Sequence, residues 1–158
     1  MDKHSIINPR SSTIDALMEI SIRRLNSDVP FPEYKTPGAC AFDIAVIEGK
    51  ILAPNERAIF PTGLVVKVPE GHVLILASRS SNAKKGITLS NGIGIIDGDY
   101  CGPNDELHIA LHNIGNDAYT VEAGERIAQG MFIPITRAQF VEPADWSAID
   151  RGGFGTTG

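Results

Sequence analysis

The sequence predicts an all-β domain, a sandwich or a barrel. Three observations carry that expectation. Short runs of β-branched and other apolar residues recur at close spacing along most of the chain, and several alternate with polar residues at the two-residue period of a half-buried strand. Almost nothing shows the 3.6-residue period of an amphipathic helix. Between the runs stand turn formers, as at Pro54-Asn55, Pro69-Glu70-Gly71, Pro103-Asn104-Asp105 and Glu122-Ala123-Gly124.

Taken in order, residues 1–18 read as a polar leader. Within it, Ser12-Thr13-Ile14-Asp15 places an acid three residues after a hydroxyl, a capping-box pattern that predicts a short helix through Met18. Glu19–Arg24 alternates, with Ile20 and Ile22 on one side, and predicts a strand. Asn26–Gly38 is rich in proline and polar residues and predicts a loop. Ala41–Val46 is an apolar strand carrying one acid, Asp43. The further predicted strands are Lys50–Leu52, Arg57–Phe60, Leu64–Val68, His72–Ala77, Ile87–Leu89, Ile93–Ile96, Glu106–His112, Ala118–Val121 and Ile127–Ile135. No repeat, linker or second domain interrupts them, so residues 19–149 are expected to form one domain. Residues 150–158 are glycine-rich and are expected to be mobile unless a ligand or partner orders them.

The 158 residues suffice to bury a core without disulfides or metals as staples. The formal net charge of -5 lacks the basic surplus of a nucleic-acid binder, so no nucleic-acid partner is expected. Cys40 and Cys101 are too few for a disulfide framework and read as free thiols in a reducing compartment. No apolar run is long enough to span a membrane, and the polar N-terminal residues do not resemble a signal peptide. The expected location is the cytoplasm.

Four stretches could carry chemistry. In Gly94-Ile95-Ile96-Asp97-Gly98-Asp99-Tyr100, two carboxylates at i and i+2 would share a face on an extended chain, with an aromatic beside them. That arrangement suits a carboxylate that prepares a water and a ring that holds a flat substrate. Ser78–Gly86 offers Arg79 for bidentate phosphate contact, the hydroxyls of Ser80 and Ser81, and, if Ser81–Lys85 turns helically, a helix start that favours an anion. The same residues also describe a solvated surface turn. Gln129, in Glu125–Gln129, interrupts an apolar run as though its amide has a fixed partner. The tail, with Arg151, Phe154, Thr156 and Thr157 among glycines, could wrap a phosphate chain and stack on a base, or be an unstructured end. The histidines offer no metal-ligand spacing: His108 and His112, four apart on a predicted strand, would stand about 13 Å apart at roughly 3.3 Å per residue.

Five stretches, these four and one around Asp43, follow one another in the order found in a known family. Gly38–Ile44, Ser78–Ala83, Asn91–Gly102, Glu125–Gln129 and the tail together resemble the motifs of the trimeric dUTPases (dUTP diphosphatases), and the resemblance covers roughly Ile20–Gly158. It implies a distorted, jelly-roll-like β-barrel of the β-clip kind and a homotrimer with active sites at subunit interfaces. The implied reaction converts dUTP and water to dUMP and pyrophosphate, with Mg²⁺ on the triphosphate and no direct protein ligand set for it. The resemblance gives Asp97 the activation of water, and Tyr100 the packing under deoxyribose that excludes a ribose 2′-hydroxyl. Asn91 and a backbone hairpin would read uracil, with Ile96 in contact. Arg79, Ser80, Ser81 and Gln129 would hold phosphates. Phe154 would cap the base, Arg151, Gly155, Thr156 and Thr157 would reach the phosphate end, and Asp43 would support the metal-water and arginine network. The chain departs from the usual pattern in having Ser81 for Gly, Ala41-Phe42 for Gly-Tyr, a longer link after Tyr100, and Arg151 only three residues before Phe154.

Two other readings use the same stretches. A dCTP deaminase shares the barrel and the Arg-Ser-Ser segment but needs a glutamate acid/base that the third motif does not supply. A nucleotide-sensing barrel with catalysis lost is opposed by the presence of Asp97, Tyr100 and the tail.

Overall fold

The computed structural model describes residues 18–150 together with 152, 153 and 155. Eleven strands and one short helix follow in order: β1 (Ile22–Arg24), β2 (Phe42–Ala45), β3 (Lys50–Leu52), β4 (Arg57–Pro61), β5 (Leu64–Val66), β6 (His72–Ser78), α1 (Asn82–Lys85), β7 (Ile87–Leu89), β8 (Ile93–Ile96), β9 (His108–Asn113), β10 (Tyr119–Val121) and β11 (Arg126–Pro134). All predicted strands are present, with ends shifted by a few residues. The short helix predicted from Ser12 lies outside the described residues.

Every pairing is antiparallel, as expected where short turns join the strands. A four-stranded sheet runs β2-β11-β6-β8 and a three-stranded one β4-β9-β7, with two-stranded pieces β1-β5 and β10-β3. The described strands therefore do not close into one continuously hydrogen-bonded barrel; the fold is jelly-roll-like and open. Its ladders are interrupted for local reasons. Pro69 has no N–H to extend β5, and a register shift between Arg126 and Ala128 breaks the β2-β11 ladder.

The core lies between the sheets. Leu52, Leu74, Leu111, Val121 and Ile127 are completely buried there. Alternation explains the choice: in β9, Ile109, Leu111 and Asn113 point inward while His108, Ala110 and His112 are more exposed. The inward Asn113 is tolerated because its amide donates to the carbonyls of Leu52, Ala53 and Asp117 and accepts from the Gly115 N–H. At Gly130 a Cβ would lie 2.7 Å from the Phe42 ring, so the aromatic of β2 packs directly on the bare backbone of β11.

The strand β11 sits between β2 and β6 and fixes the geometry of the site. Gln129 faces Asp43 on one side and Ala77 on the other. The sequence motifs around Asp43, Ser78 and Gln129 are thus neighbours across three adjacent strands.

Candidate active site

The acid on β2 has its counter-charges waiting on the neighbouring elements. Asp43 Oδ1 accepts from Arg79 Nε at 2.8 Å, and Asp43 Oδ2 lies 3.3 Å from Arg126 Nη1. Arg79 Nη1 also donates to the Arg126 carbonyl at 2.7 Å. The Arg79 guanidinium is held at two points, with Ser80 exposed beside it. An arginine fixed in this way presents its remaining N–H groups in a set direction, which suits a phosphate.

The loop that carries Arg79 is tied down by amides. Gln129 Nε2 donates to the Ser78 carbonyl at 3.0 Å, so its amide anchors the loop. Asn82, buried at the start of α1, donates to Ser78 Oγ and to the Ile127 carbonyl. Gly86 closes α1 in the left-handed region at φ 68, a conformation that favours glycine. Ser81 precedes α1 without making a side-chain cap bond. The helix sits on a second cluster: Lys85 Nζ pairs with Glu125 Oε1, and Tyr119 donates to the same oxygen at 2.5 Å. The Glu125 hydrogen bond raises the Lys85 ammonium above its ordinary value. Burial pushes the Glu125 carboxyl up, but the hydrogen bonds from Lys85 and Tyr119 outweigh it and hold it below the ordinary value. Burial, with the Glu125 contact, pushes the Tyr119 hydroxyl up.

Ser81 Oγ and Asn82 Oδ1 are buried and lack a hydrogen-bond partner among the described residues, and Asp43 Oδ2 has only its ion pair with Arg126; all three belong to this corner. Buried polar groups normally have partners. Their concentration marks a place where the fold accepts a cost to keep polar groups.

The other half of the candidate set lies elsewhere. β8 pairs with β6 so that Ile93 faces Ala77 and Ile96 faces Leu74. Asn91 is therefore at the Arg79 end of the ladder and Asp97 at the opposite end. Leu74 and Ser78 are four residues apart, about 13 Å at ~3.3 Å per residue. One chain separates Asp97 and Tyr100 from Arg79 and Ser80. Ile96 is half-buried within the strand. The extended pairing expected of Asp97 and Asp99 is not found: the chain turns after Ile96, with the Tyr100 N–H donating to the Asp97 carbonyl and the Cys101 N–H to the Asp99 carbonyl. The turn at Asn91 also forms no β7-β8 hairpin, because β7 pairs with β9 and β8 with β6.

Among the described residues no three His, Cys, Asp or Glu side chains are grouped to hold a metal ion. His112 Nε2 contacts Asn55 Oδ1 and His108 Nδ1 contacts the Glu106 carbonyl, so these two histidines have separate partners. Arg151, Phe154, Thr156 and Thr157 lie outside the described residues; Gly155 is exposed at φ 87.

The sequence reading missed Arg126, Asn82 and the Lys85-Glu125-Tyr119 cluster. A signal for Arg126 was available: an acid on an apolar strand needs a cation, and Arg126 opens the motif that contains Gln129.

Residues 27–158 match the family model described as dUTPase. The chain belongs to the dUTPase family. Among related dUTPases, the deoxyuridine 5'-triphosphate nucleotidohydrolase of Sodalis glossinidius is 38% identical over 147 residues, covering 89% of this chain and 95% of that protein. The enzyme of the same name from Shewanella woodyi is 40% identical over 141 residues, covering 85% and 91%. Among solved dUTPase structures, that of Streptococcus mutans aligns with a TM-score of 0.68 at 33% identity, over 75% of this chain and 98% of that one. The dUTPase of Staphylococcus bacteriophage 80alpha with dUPNHPP aligns with a TM-score of 0.77 at 25% identity, over 89% and 98%. No helix of the described residues is long and apolar enough to cross a membrane.

Proposed function

We propose that this chain hydrolyses dUTP to dUMP and pyrophosphate at sites formed where copies of the chain meet in a homotrimer, in the cytoplasm. Family membership supports the reaction. The observation that carries the site is the division along β6: the Arg79 corner stands at one end and Asp97 with Tyr100 at the other. In this reading the two ends that meet at one site come from different copies. Exposed apolar groups support chain-chain contact. Ile93 and Ile95 are 50% and 61% exposed on the edge strand β8, and Phe140, Trp146 and Ile149 are at least 79% exposed along residues 135–150.

In this reading Arg79, Ser80 and Ser81 bind the phosphates, while Asp43, Arg126 and Gln129 position Arg79 and its loop. Asn91 reads the uracil edge and Tyr100 packs beneath the deoxyribose. Asp97, exposed at the end of β8, accepts a proton from the attacking water. The new bond joins the water oxygen to phosphorus, and the bond to the departing pyrophosphate oxygen breaks. Arg151, Phe154, Gly155, Thr156 and Thr157 close over the bound nucleotide. The donor set fits a cation carried by the substrate: Mg²⁺ commonly binds phosphates and waters with few protein ligands, and when bound it neutralises phosphate charge.

The test is release of pyrophosphate from dUTP in the presence of Mg²⁺, with dTTP, dCTP and UTP as controls. Selective release from dUTP supports the reading. Ammonia release from dCTP, or nucleotide binding without turnover, contradicts it.

A further inference from the structure

We infer that Glu106 is a positioning residue for Tyr100, and that Cys101–Glu106 forms a brace which makes the Tyr100 ring a rigid wall against the wrong sugar. The inference rests on the assignment of Tyr100 to the deoxyribose.

The Tyr100 hydroxyl donates to the Glu106 carbonyl at 2.9 Å. His108 Nδ1 stands 2.9 Å from the same oxygen. That carbonyl is a fixed point because its residue is clamped to the β4-β5 corner. The Gly63 N–H donates to Glu106 Oε1 at 2.6 Å, and the Leu107 N–H donates to the Leu64 carbonyl at 2.8 Å. Thr62 returns both its N–H and its hydroxyl to the Leu107 carbonyl, at 3.2 and 2.7 Å. Thr62 and Leu107 are each 1% exposed, so this anchor is in the core. The intervening loop is also closed on itself: the Gly102 N–H donates to Asp105 Oδ2 at 2.6 Å and the Asp105 N–H to the Gly102 carbonyl at 3.2 Å. A Cβ at Gly102 would lie 2.8 Å from Asp105 Oδ2, so the carboxylate packs closely on the backbone it accepts from. Arg23 of β1 reaches the Pro103 carbonyl from outside.

Tyr100 is consequently held at both ends. Its N–H is on the Asp97 carbonyl and its hydroxyl is on Glu106. Rejecting one extra hydroxyl by shape requires a wall that does not yield, since apolar contact alone discriminates weakly against it. With 38% of the residue exposed, packing alone does not pin the ring. The brace does.

The experiment measures kcat/KM for dUTP and for UTP in the intact chain and in Tyr100→Phe, Glu106→Ala, Glu106→Gln and Tyr100→Ala. Tyr100→Phe and Glu106→Ala are expected to lower the dUTP/UTP ratio by roughly three- to tenfold, the range of one net hydrogen bond. Glu106→Gln is expected to retain it, because an amide oxygen still accepts from Gly63. General destabilisation would lower both rates together and leave the ratio in place. If Tyr100→Ala loses discrimination while Tyr100→Phe and Glu106→Ala keep it, the brace is wrong and the Tyr100 assignment stands. If Tyr100→Ala keeps it, the assignment fails and the brace with it. Should Glu106→Ala fail to fold, Tyr100→Phe decides alone.

Discussion

Asp43 and Arg79 meet across β2 and the end of β6, with Arg79 Nε 2.8 Å from Asp43 Oδ1 in a pocket that leaves only 12% of the Asp43 side chain exposed. Arg126 shares the same carboxylate. Replacing Asp43 with Asn leaves two arginines without their counter-charge in a half-buried corner. Removing one partner of such a pair leaves the other uncompensated. The expected result is a KM for dUTP raised by about tenfold or more, the size of one or two charge-assisted hydrogen bonds. Steady-state kinetics at constant Mg²⁺ checks it.

Asp97 is exposed and outside the strand ladders. Asp97→Asn is therefore expected to fold with unchanged thermal stability and to lose about 10²- to 10⁴-fold in kcat, the usual contribution of a general base. Near wild-type turnover would remove Asp97 from that role.

The Lys85-Glu125-Tyr119 cluster predicts a pH window for stability. Glu125 is held below its ordinary value of 4.5, so its contribution is present above that pH and is lost as pH falls through the lower folded value. Lys85 is held above 10.5, so its contribution is present below that pH and is lost as pH rises through the higher folded value. Urea unfolding of the wild type and Glu125→Gln across this range should show a difference near neutrality that shrinks at acidic pH. A constant difference down to strongly acid pH contradicts the cluster's role.

Gly130 and Phe42 make a packing prediction. Gly130→Ala places a methyl 2.7 Å from the Phe42 ring and should destabilise the fold by about 1–3 kcal/mol, the usual cost of overpacking. Phe42→Leu in the same chain should recover part of the loss. Chemical denaturation of both single variants and the double variant measures the coupling.

Much of this was legible in the sequence. The alternation of Glu19–Arg24, the short apolar runs and the turn residues between them located the strands, because local burial pattern and turn chemistry act within a few residues. The partners of those strands were not legible, since pairing is set by contacts between residues far apart in the chain. Asp97 and Asp99 show the limit from the other side. Their i, i+2 spacing is strand-like, yet the backbone bonds from Tyr100 to Asp97 and from Cys101 to Asp99 turn the chain there. Gln129 was singled out correctly as a side chain with a fixed partner, but the partner, the Ser78 carbonyl, became visible only once β11 lay beside β6. For the same reason, only the β6-β8 register revealed that one chain keeps Arg79 and Asp97 apart.

That separation is most directly tested by mixing two inactive variants. Arg79→Ala and Asp97→Asn chains, each shown to be folded, are unfolded and refolded together in equal amounts. If each site takes Arg79 from one copy and Asp97 from another, about a quarter of the sites in random homo-oligomers will have both residues intact, and dUTP hydrolysis returns in proportion. If a single chain supplies both, every site carries one defect, and a mixture as inactive as its parents contradicts the account.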